Sequence, residues 1–225
     1  MKKPSDIYIL FGCEESQECT IAFREKGFNA FSNDIKPCSG NHPEWHLQMD
    51  VFEAIKLRKW DCGVFFPDCT YITISAEWAY KNPPYHQKIG SDILVGEERR
   101  QARKQAIEFA KRIYNSEIPI LGMENPVGVL STNFKKPNQI IQPYQFGNNA
   151  SKKTCLWLKG LPILKHTTYI EPRLVNGKQR WGNQTDSGQN NVPPSKNQAS
   201  IRSKTYTGIA QAMATQWGSF LLNGY

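Results

Sequence analysis

The feature that most constrains this chain is an alternation of apolar runs with helical patterns, in which several apolar runs end at an acidic or polar residue. Three such runs are "DIYILFG" at 6–12, "FNAFSNDI" at 28–35 and "CGVFF" at 62–66. A helical pattern follows the first run at 15–27, and a longer helix is predicted at about 96–115. This alternation predicts an α/β fold, a mostly parallel sheet with right-handed crossovers and helices on both faces.

Length and composition narrow the class of protein. The chain has 225 residues, of which 39% are hydrophobic and 21% charged, so it is long enough for one folded domain with a full core. No apolar run approaches the roughly 20 residues that a membrane helix needs. The six cysteines form no Cys-x-x-Cys pair and we find no signal peptide, so we expect free thiols in a reducing, cytoplasmic compartment.

The balance of charge points to a polyanionic partner. The formal net charge is +8, which favours nucleic acid. Residues 171–204 are polar and rich in turn formers, and a segment this long without periodicity is either disordered or functional. It is a DNA-contacting surface or a solvated loop. The segment also contains Trp181, which could stack on a base. Its basic side chains are Arg173, Lys178, Arg180, Lys196, Arg202 and Lys204.

Acids at the strand ends suggest a nucleoside site. Ligands of an open parallel sheet bind beyond the carboxyl ends of the strands. Asp34 ends the second strand, where an acid can accept hydrogen bonds from a ribose, and Asp50 follows a third strand at 47–51, where it could accept from an adenine amino group. The first turn, at 11–14, lacks a Gly-x-Gly-x-x-Gly pattern, which argues against NAD and ATP and suits S-adenosylmethionine. Each acid alone could be a helix cap, but their joint placement favours a site.

A thiol and a carboxyl group follow two further strands. Cys69 comes directly after Pro67 and Asp68 at the end of the fourth strand, and Glu124 ends a strand at 118–126. A lone cysteine is usually structural. A thiolate beside a carboxylic acid is, however, what attack on a pyrimidine requires: the thiolate adds to ring carbon C6 while the acid binds N3. Carbon C5 can then take an alkyl group from a sulfonium.

These residues resemble a known family. The segments "ILFGCEESQECTIAFREKGFNAFSNDI", "FPDCT" and "MENP" are similar to successive motifs of the cytosine-5 DNA methyltransferases. Small phage-encoded proteins described as such enzymes are similar over nearly the whole chain, including "PCSGNHPEWH" and "KKTCLWLKGLP". The resemblance implies a Rossmann-like class I methyltransferase fold, S-adenosylmethionine as cofactor and DNA as partner.

The resemblance also implies roles for individual residues. Cys69 would be the nucleophile and Glu124 would hold the base. Asn125 would lie beside the base, and the basic side chains Lys152, Lys153, Arg180, Arg202 and Lys204 would contact DNA. Cofactor contacts are implied for Phe11, Gly12, Glu14, Asp34, Ile35, Asp50, Val51 and Pro67.

Three departures from the family stand out. Asp68 occupies the position of the family's second proline, and a carboxylate beside a thiol raises the thiol pKa. A Gln-x-Arg-x-Arg strand is not obvious, and "NGKQRWG" at 176–182 is at best a remnant. There is no room for a large target-recognition domain. We predict a single domain over 1–225, with about 130–204 as a small, loop-rich insertion in its place.

Several alternatives stay open at this point. "PDCTY" also resembles the pocket of enzymes that methylate an exocyclic amine, N4 of cytosine or N6 of adenine, in which case Asp68 would accept from the amine. A catalytically silent DNA-binding protein could keep the same fold, and the substrate could be a nucleotide. Tyr71 could stack on a flipped base or belong to the core. Cys38, His42 and His46 have metal-compatible spacing, but a structured loop is favoured because a fourth ligand is not apparent.

Overall fold

A computed structural model describes residues 2–74, 76–82, 93–191 and 203–224. The main sheet contains β1 (Tyr8–Gly12), β2 (Asn29–Asp34), β3 (His46–Gln48), β4 (Cys62–Phe65), β5 (Leu121–Pro126), β6 (Gln139–Ile141) and β7 (Thr154–Lys159). A separate hairpin contains β8 (Arg173–Val175) and β9 (Lys178–Arg180). The helices are α1 (Glu18–Arg24), α2 (Val51–Lys56), α3 (Gly96–Tyr114), α4 (Leu130–Asn133) and α5 (Thr207–Asn223).

The strand order of the main sheet is β3-β2-β1-β4-β5-β7-β6. β1 to β5 pair in parallel, whereas β7 runs antiparallel to both β5 and β6. The order reverses at β1, so β1 and β4 flank the switch point where open α/β sheets bind ligands. The predicted α/β fold class is confirmed: the sheet is mostly parallel, with one antiparallel strand, β7.

Helices cover both faces of the sheet because its strands are apolar on both sides. Ile9 and Phe11 of β1 belong to the core under α1 and α5. Leu10, between them, belongs to the core under α2 and α3. This alternation follows from the pleat of a strand, which points successive side chains to opposite faces.

The region around 130–204 contributes more than loops. It supplies β6 and β7 of the main sheet as well as the β8–β9 hairpin. β7 lies within the segment "KKTCLWLKGLP", whereas β6 and the hairpin were not predicted from the sequence. Its role as a substitute for a recognition domain stays a prediction.

Two further findings concern the whole chain. All six cysteines are free thiols. In the parts of the chain that the structure describes, no helix combines the length and the apolar character needed to cross a membrane.

Trp157 tests how strongly β7 holds the sheet together. Its side chain is fully buried, and the indole Nε1 donates to the carbonyl of Lys135 at 2.7 Å. We expect Trp157→Ala to lower the free energy of unfolding by about 3–5 kcal/mol, since a large cavity would remain. Trp157→Phe keeps the apolar contacts and leaves the Lys135 carbonyl unpaired, so it should cost about 1–3 kcal/mol. Urea denaturation measures both losses; an alanine variant within 1 kcal/mol of wild type would contradict this role.

Candidate active site

Cys69 lies on a capped turn at the end of β4. The Asp68 carboxylate Oδ1 accepts from the Thr70 amide at 2.9 Å and from the Thr70 hydroxyl at 2.7 Å. The Cys69 carbonyl accepts from the amides of Ile72 and Thr73 at 3.0 and 3.1 Å. Asp68 is thus placed as the cap of the single helical turn that carries the thiol, a common use of aspartate at such ends.

The loops that follow β4 and β5 are tied to each other. Asn125 Nδ2 donates to the Pro67 carbonyl at 2.7 Å, and Val129 donates its amide to the Ile72 carbonyl at 2.9 Å. Gly128 lies at this junction, where a Cβ would come within 2.3 Å of the Ile72 carbonyl oxygen. Only glycine allows that approach. The turn with Cys69 is therefore held against the end of β5.

The charges around Cys69 come from three neighbours. The pKa of the Cys69 thiol is raised by burial first, and then by the negative charges of Asp68 and Glu124. The positive charge of Lys152 lowers it in part. Cys69 and Glu124, predicted as a pair from the sequence, therefore lie close enough for the charge of Glu124 to act on the Cys69 thiol.

Glu124 itself is shifted towards its protonated form. Burial raises its pKa, while the charge of Lys152 and a hydrogen bond from Thr154 oppose the shift. Thr154 begins β7, whose antiparallel pairing sets it opposite Pro126, and Lys152 lies two residues before the strand. The antiparallel strand thus brings a cation to the end of β5. A carboxyl group with a raised pKa can donate a hydrogen bond, which the predicted contact with a ring nitrogen requires.

A second group of acids surrounds the end of β1. The pKa of the Cys13 thiol is raised to about 12, by burial first and then by the charges of Asp34, Asp50 and Asp68. These carboxylates follow β2, β3 and β4, so the parallel strands gather them around the switch point. Two of the three are the residues predicted to bind the nucleoside.

Asp34 and Asp50 serve as caps and still have acceptor capacity. Asp34 Oδ1 accepts from the Lys36 amide at 3.0 Å, and Asp50 Oδ1 accepts from the Phe52 amide at 2.8 Å at the start of α2. Within the described residues, the second oxygen of each carboxylate makes no hydrogen bond. Ile35, next to Asp34, is 72% exposed at this edge. Cap and ligand-binding roles are therefore compatible here.

Other predicted cofactor residues face inwards. Phe11 is fully buried with its ring against Phe23, and a Cβ on Gly12 would come within 2.3 Å of the Phe65 ring. Val51 and Pro67 are also buried. Because these side chains pack in the core beneath the site, only their backbone atoms could contact a ligand.

Glu14, also predicted to bind the cofactor, points into the protein. Its carboxylate accepts from the Cys19 amide at 2.6 Å, the Thr20 amide at 3.3 Å and the Thr20 hydroxyl at 2.7 Å. It therefore binds the first amides of α1, which have no partner within the helix.

A groove of about 520 Å³ opens beside Asp68 and runs along α3. Tyr71, Ala106 and Phe109 line it, and Phe52 of α2 packs edge-on against Phe109. An apolar groove next to acceptor carboxylates fits an adenosyl group, whose base is apolar on its faces and whose ribose donates hydrogen bonds. A second cavity of about 440 Å³ lies at α1 and Trp45, away from the predicted site residues.

The predicted DNA-contacting residues do not all cluster. Lys152 lies by Cys69 and Glu124, whereas Asn125 is buried and bound to Pro67. The exposed Lys153 follows directly on Lys152. Arg180 donates to the Asp186 carbonyl in the hairpin. Lys204 is partly buried before α5, and Arg202 lies outside the described residues.

The structure corrects the interpretation of Trp181 and its surroundings. Trp181 is 7% exposed and stacks on Tyr144 with ring centroids 4.2 Å apart, so it cannot stack on a base as the sequence suggested. Residues 171–191 form an ordered hairpin and loop, not a structureless segment. Tyr71 lines the groove on one side, and the Arg99 guanidinium lies 5.2 Å from its ring centre.

Two side chains that sequence reasoning missed hold the site together. Gln17 is fully buried and bonds with both its amide atoms, to the Ser32 hydroxyl and to the backbone of His42. Arg103 of α3 donates to the carbonyls of Tyr71 and Thr73, just after Cys69. No sequence pattern distinguishes these two residues from other polar residues, because their role depends on contacts between distant parts of the chain.

The histidines of the 36–46 loop have structural partners. His46 Nδ1 lies 2.8 Å from the Ser32 hydroxyl, and its Nε2 lies 2.9 Å from the Lys36 carbonyl. The His42 ring stacks on Trp45 and its Nδ1 lies 3.0 Å from Glu44. These contacts fit the predicted structured loop.

Comparison with solved structures finds similar chains. One of them is a candidate DNA modification methyltransferase encoded within a prophage of E. coli, with 12% sequence identity and a TM-score of 0.44. The alignment covers 76% of this chain and 53% of that protein, so this chain spans about half the neighbour's length. No family model and no curated protein sequence matches the chain. The fold assignment rests on the strand order.

Glu14 should make stability depend on pH. Burial raises its pKa to about 7 despite hydrogen bonds from Thr20 and Cys19, so the folded state binds this proton more tightly than the unfolded state. The contribution of Glu14 to the free energy of unfolding is complete below about pH 4.5 and is lost as the pH rises through about 7. The free energy of unfolding should fall by roughly 3 kcal/mol over this range.

Urea titrations of wild type and Glu14→Gln from pH 4 to 8 measure this effect. The difference between the two curves should change over that window, since the amide does not titrate. Glu98→Gln, at an exposed acid in the first turn of α3, is the matched control. A difference curve that is flat for Glu14→Gln would contradict the assignment.

Proposed function

We propose that this protein is an S-adenosylmethionine-dependent DNA methyltransferase that acts on C5 of cytosine through Cys69. The observation that carries the proposal is the pair of hydrogen bonds, from Asn125 to Pro67 and from Val129 to Ile72, that holds the Cys69 turn against the end of β5, the strand that contains Glu124. The acids around Cys13 and the neighbouring groove support a cofactor site beside it.

In this proposal S-adenosylmethionine supplies the methyl group as a sulfonium-bound electrophile. The second carboxylate oxygen of Asp34 accepts from its ribose and that of Asp50 from its adenine amino group. The groove along α3 binds the apolar faces of the adenine. The capped turn at Asp68 fixes the direction of the Cys69 side chain. The fixed loops hold thiol and carboxyl group at a set separation, which lowers the entropic cost of reaching the reactive geometry.

The chemical roles follow from the ionisation of the two groups. The Cys69 thiolate forms a bond to C6, and the electron pair of the C5–C6 double bond moves to C5. Glu124, with its raised pKa, donates a hydrogen bond at N3 and stabilises the charge on the ring. The positive charge of Lys152 favours the Cys69 thiolate, whereas the negative charges of Asp68 and Glu124 disfavour it. After transfer, loss of the C5 proton and expulsion of the thiolate restore the ring.

A base inside a duplex must leave the stack before Cys69 can reach it. The net charge of +8 and the lysines at 152 and 153 fit a DNA substrate, since cations neutralise its phosphates. The exocyclic-amine alternative needs Asp68 as the acceptor of the amine. One oxygen of that carboxylate accepts from the backbone and hydroxyl of Thr70, and its second oxygen could accept from an amine, so the position of the transferred methyl group decides between the two routes.

Transfer of a tritiated methyl group to cytosine-containing duplex DNA tests the proposal. Nucleoside analysis should recover the label as 5-methylcytosine. Cys69→Ser should lower the rate on the order of 10³-fold or more, because serine is a far weaker nucleophile, while cofactor binding is retained. Cys38→Ser, at another partly buried free thiol, should leave the rate unchanged.

Two outcomes would overturn the C5 mechanism. Full activity of Cys69→Ser, with label on an exocyclic nitrogen, would establish the amine route. DNA binding without transfer by wild type would establish a silent binding protein.

A further inference from the structure

The β8–β9 hairpin projects an exposed surface that the fold does not use. Its two-residue turn, Asn176-Gly177, has both residues at positive φ, 49° and 74°, which is the turn that fits the twist of a tight hairpin. Leu174 is 72% exposed, the same fraction as Ile35. A two-stranded ribbon of this size is marginally stable alone, so its position depends on what anchors it.

The anchor places the hairpin beside the candidate active site. Trp181, directly after β9, stacks on Tyr144 and donates from Nε1 to the Ile170 carbonyl at 3.2 Å. Asn183 then bonds in both directions with the backbone of Ser151, at 2.9 and 3.0 Å. Ser151 immediately precedes Lys152, whose charge acts on Cys69 and Glu124. The hairpin base is therefore tied to the segment that leads into β7, whose Thr154 pairs with Pro126 at the end of the strand that contains Glu124.

The two faces of the hairpin differ in chemistry. Cross-strand pairing sets Leu174 opposite Gln179, and these side chains share one face. The pairs Arg173–Arg180 and Val175–Lys178 lie on the other face, where both arginines bind Asp186 and Lys178 is exposed next to the turn. The arginines are therefore used to hold the loop that follows, and the Leu174–Gln179 face is left exposed.

We propose that the Leu174–Gln179 face, with Lys178 at the tip, contacts the groove of the target DNA next to the base that enters the active site. This inference rests on the proposed function and names the element that recognises its substrate. A two-stranded ribbon fits the major groove of B-DNA. A glutamine amide can pair with adenine and an apolar side chain can contact the thymine methyl group, so this face can read bases. Lys178 supplies a phosphate contact.

Charge favours DNA over a protein partner for this surface. Lys178 is exposed beside the turn, whereas the other two basic strand residues, Arg173 and Arg180, bind Asp186. Lys152 and Lys153 continue the positive surface from the hairpin anchor towards Cys69. A duplex lying along these cations would put the hairpin and the reactive thiol on the same few base pairs.

The test uses the full chain and fluorescein-labelled duplex DNA without cofactor, with binding measured by fluorescence anisotropy. The preferred duplex is first selected by wild type from a randomised pool. Leu174→Ala/Gln179→Ala should weaken binding to that duplex about 10- to 100-fold and reduce the preference for it over random duplex. Lys178→Gln should weaken binding to all duplexes alike and lower the slope of log Kd against log salt by about 1. Leu57→Ala, at an exposed leucine after α2, should change neither.

The outcomes separate this inference from the proposed function. Unchanged affinity and preference in both hairpin variants, with methyl transfer intact in wild type, overturn the inference and leave the function standing. Hairpin-dependent binding without methyl transfer supports the inference and overturns the function. A wild type that binds no duplex DNA overturns the inference.

Discussion

The arrangement of the site depends on the contact between the loops that follow β4 and β5. Asn125 holds the Pro67 carbonyl from one side and Gly128 lets the Ile72 carbonyl approach from the other. Parallel strands alone would bring these loops only to the same edge of the sheet. The two tethers convert that proximity into a fixed relation between the Cys69 turn and Glu124, which a reaction needing both groups requires.

At this junction, burial and the charge of Lys152 have opposite effects on the pKa values of Cys69 and Glu124. Burial and Asp68 favour the protonated form of Cys69, and burial favours the protonated form of Glu124, while Lys152 acts against both shifts. A protonated Glu124 is the form that can donate to a ring nitrogen, but a protonated Cys69 is the form that cannot attack. Entry of a polar base would change the hydration of both groups, so the reactive ionisation state depends on substrate as well as on the protein.

Much of this could be predicted from the sequence, for identifiable reasons. Strong periodicity predicted α3 and the alternation predicted the parallel strands, whose acidic ends at Asp34 and Asp50 do gather at one edge. Pairing across long separations was not predictable, which is why β6 and the hairpin were missed. Trp181 was misread because its stacking partner Tyr144 lies 37 residues earlier in the chain. In the sequence, Asp68 stood out only as a departure from the family pattern. Its hydrogen bonds with Thr70 show that it caps the turn that carries Cys69.

The most direct test of the central claim, that Cys69 and Glu124 form one reactive pair, is the pKa of the Cys69 thiol. It is measured from the pH dependence of alkylation, resolved for each cysteine by peptide mass spectrometry. Glu124→Gln should lower this pKa and Lys152→Gln should raise it, since one removes a negative and the other a positive neighbour. Glu98→Gln, at an exposed position of α3, should leave the Cys69 pKa unchanged. A Cys69 pKa that does not respond to Glu124→Gln would contradict the pair.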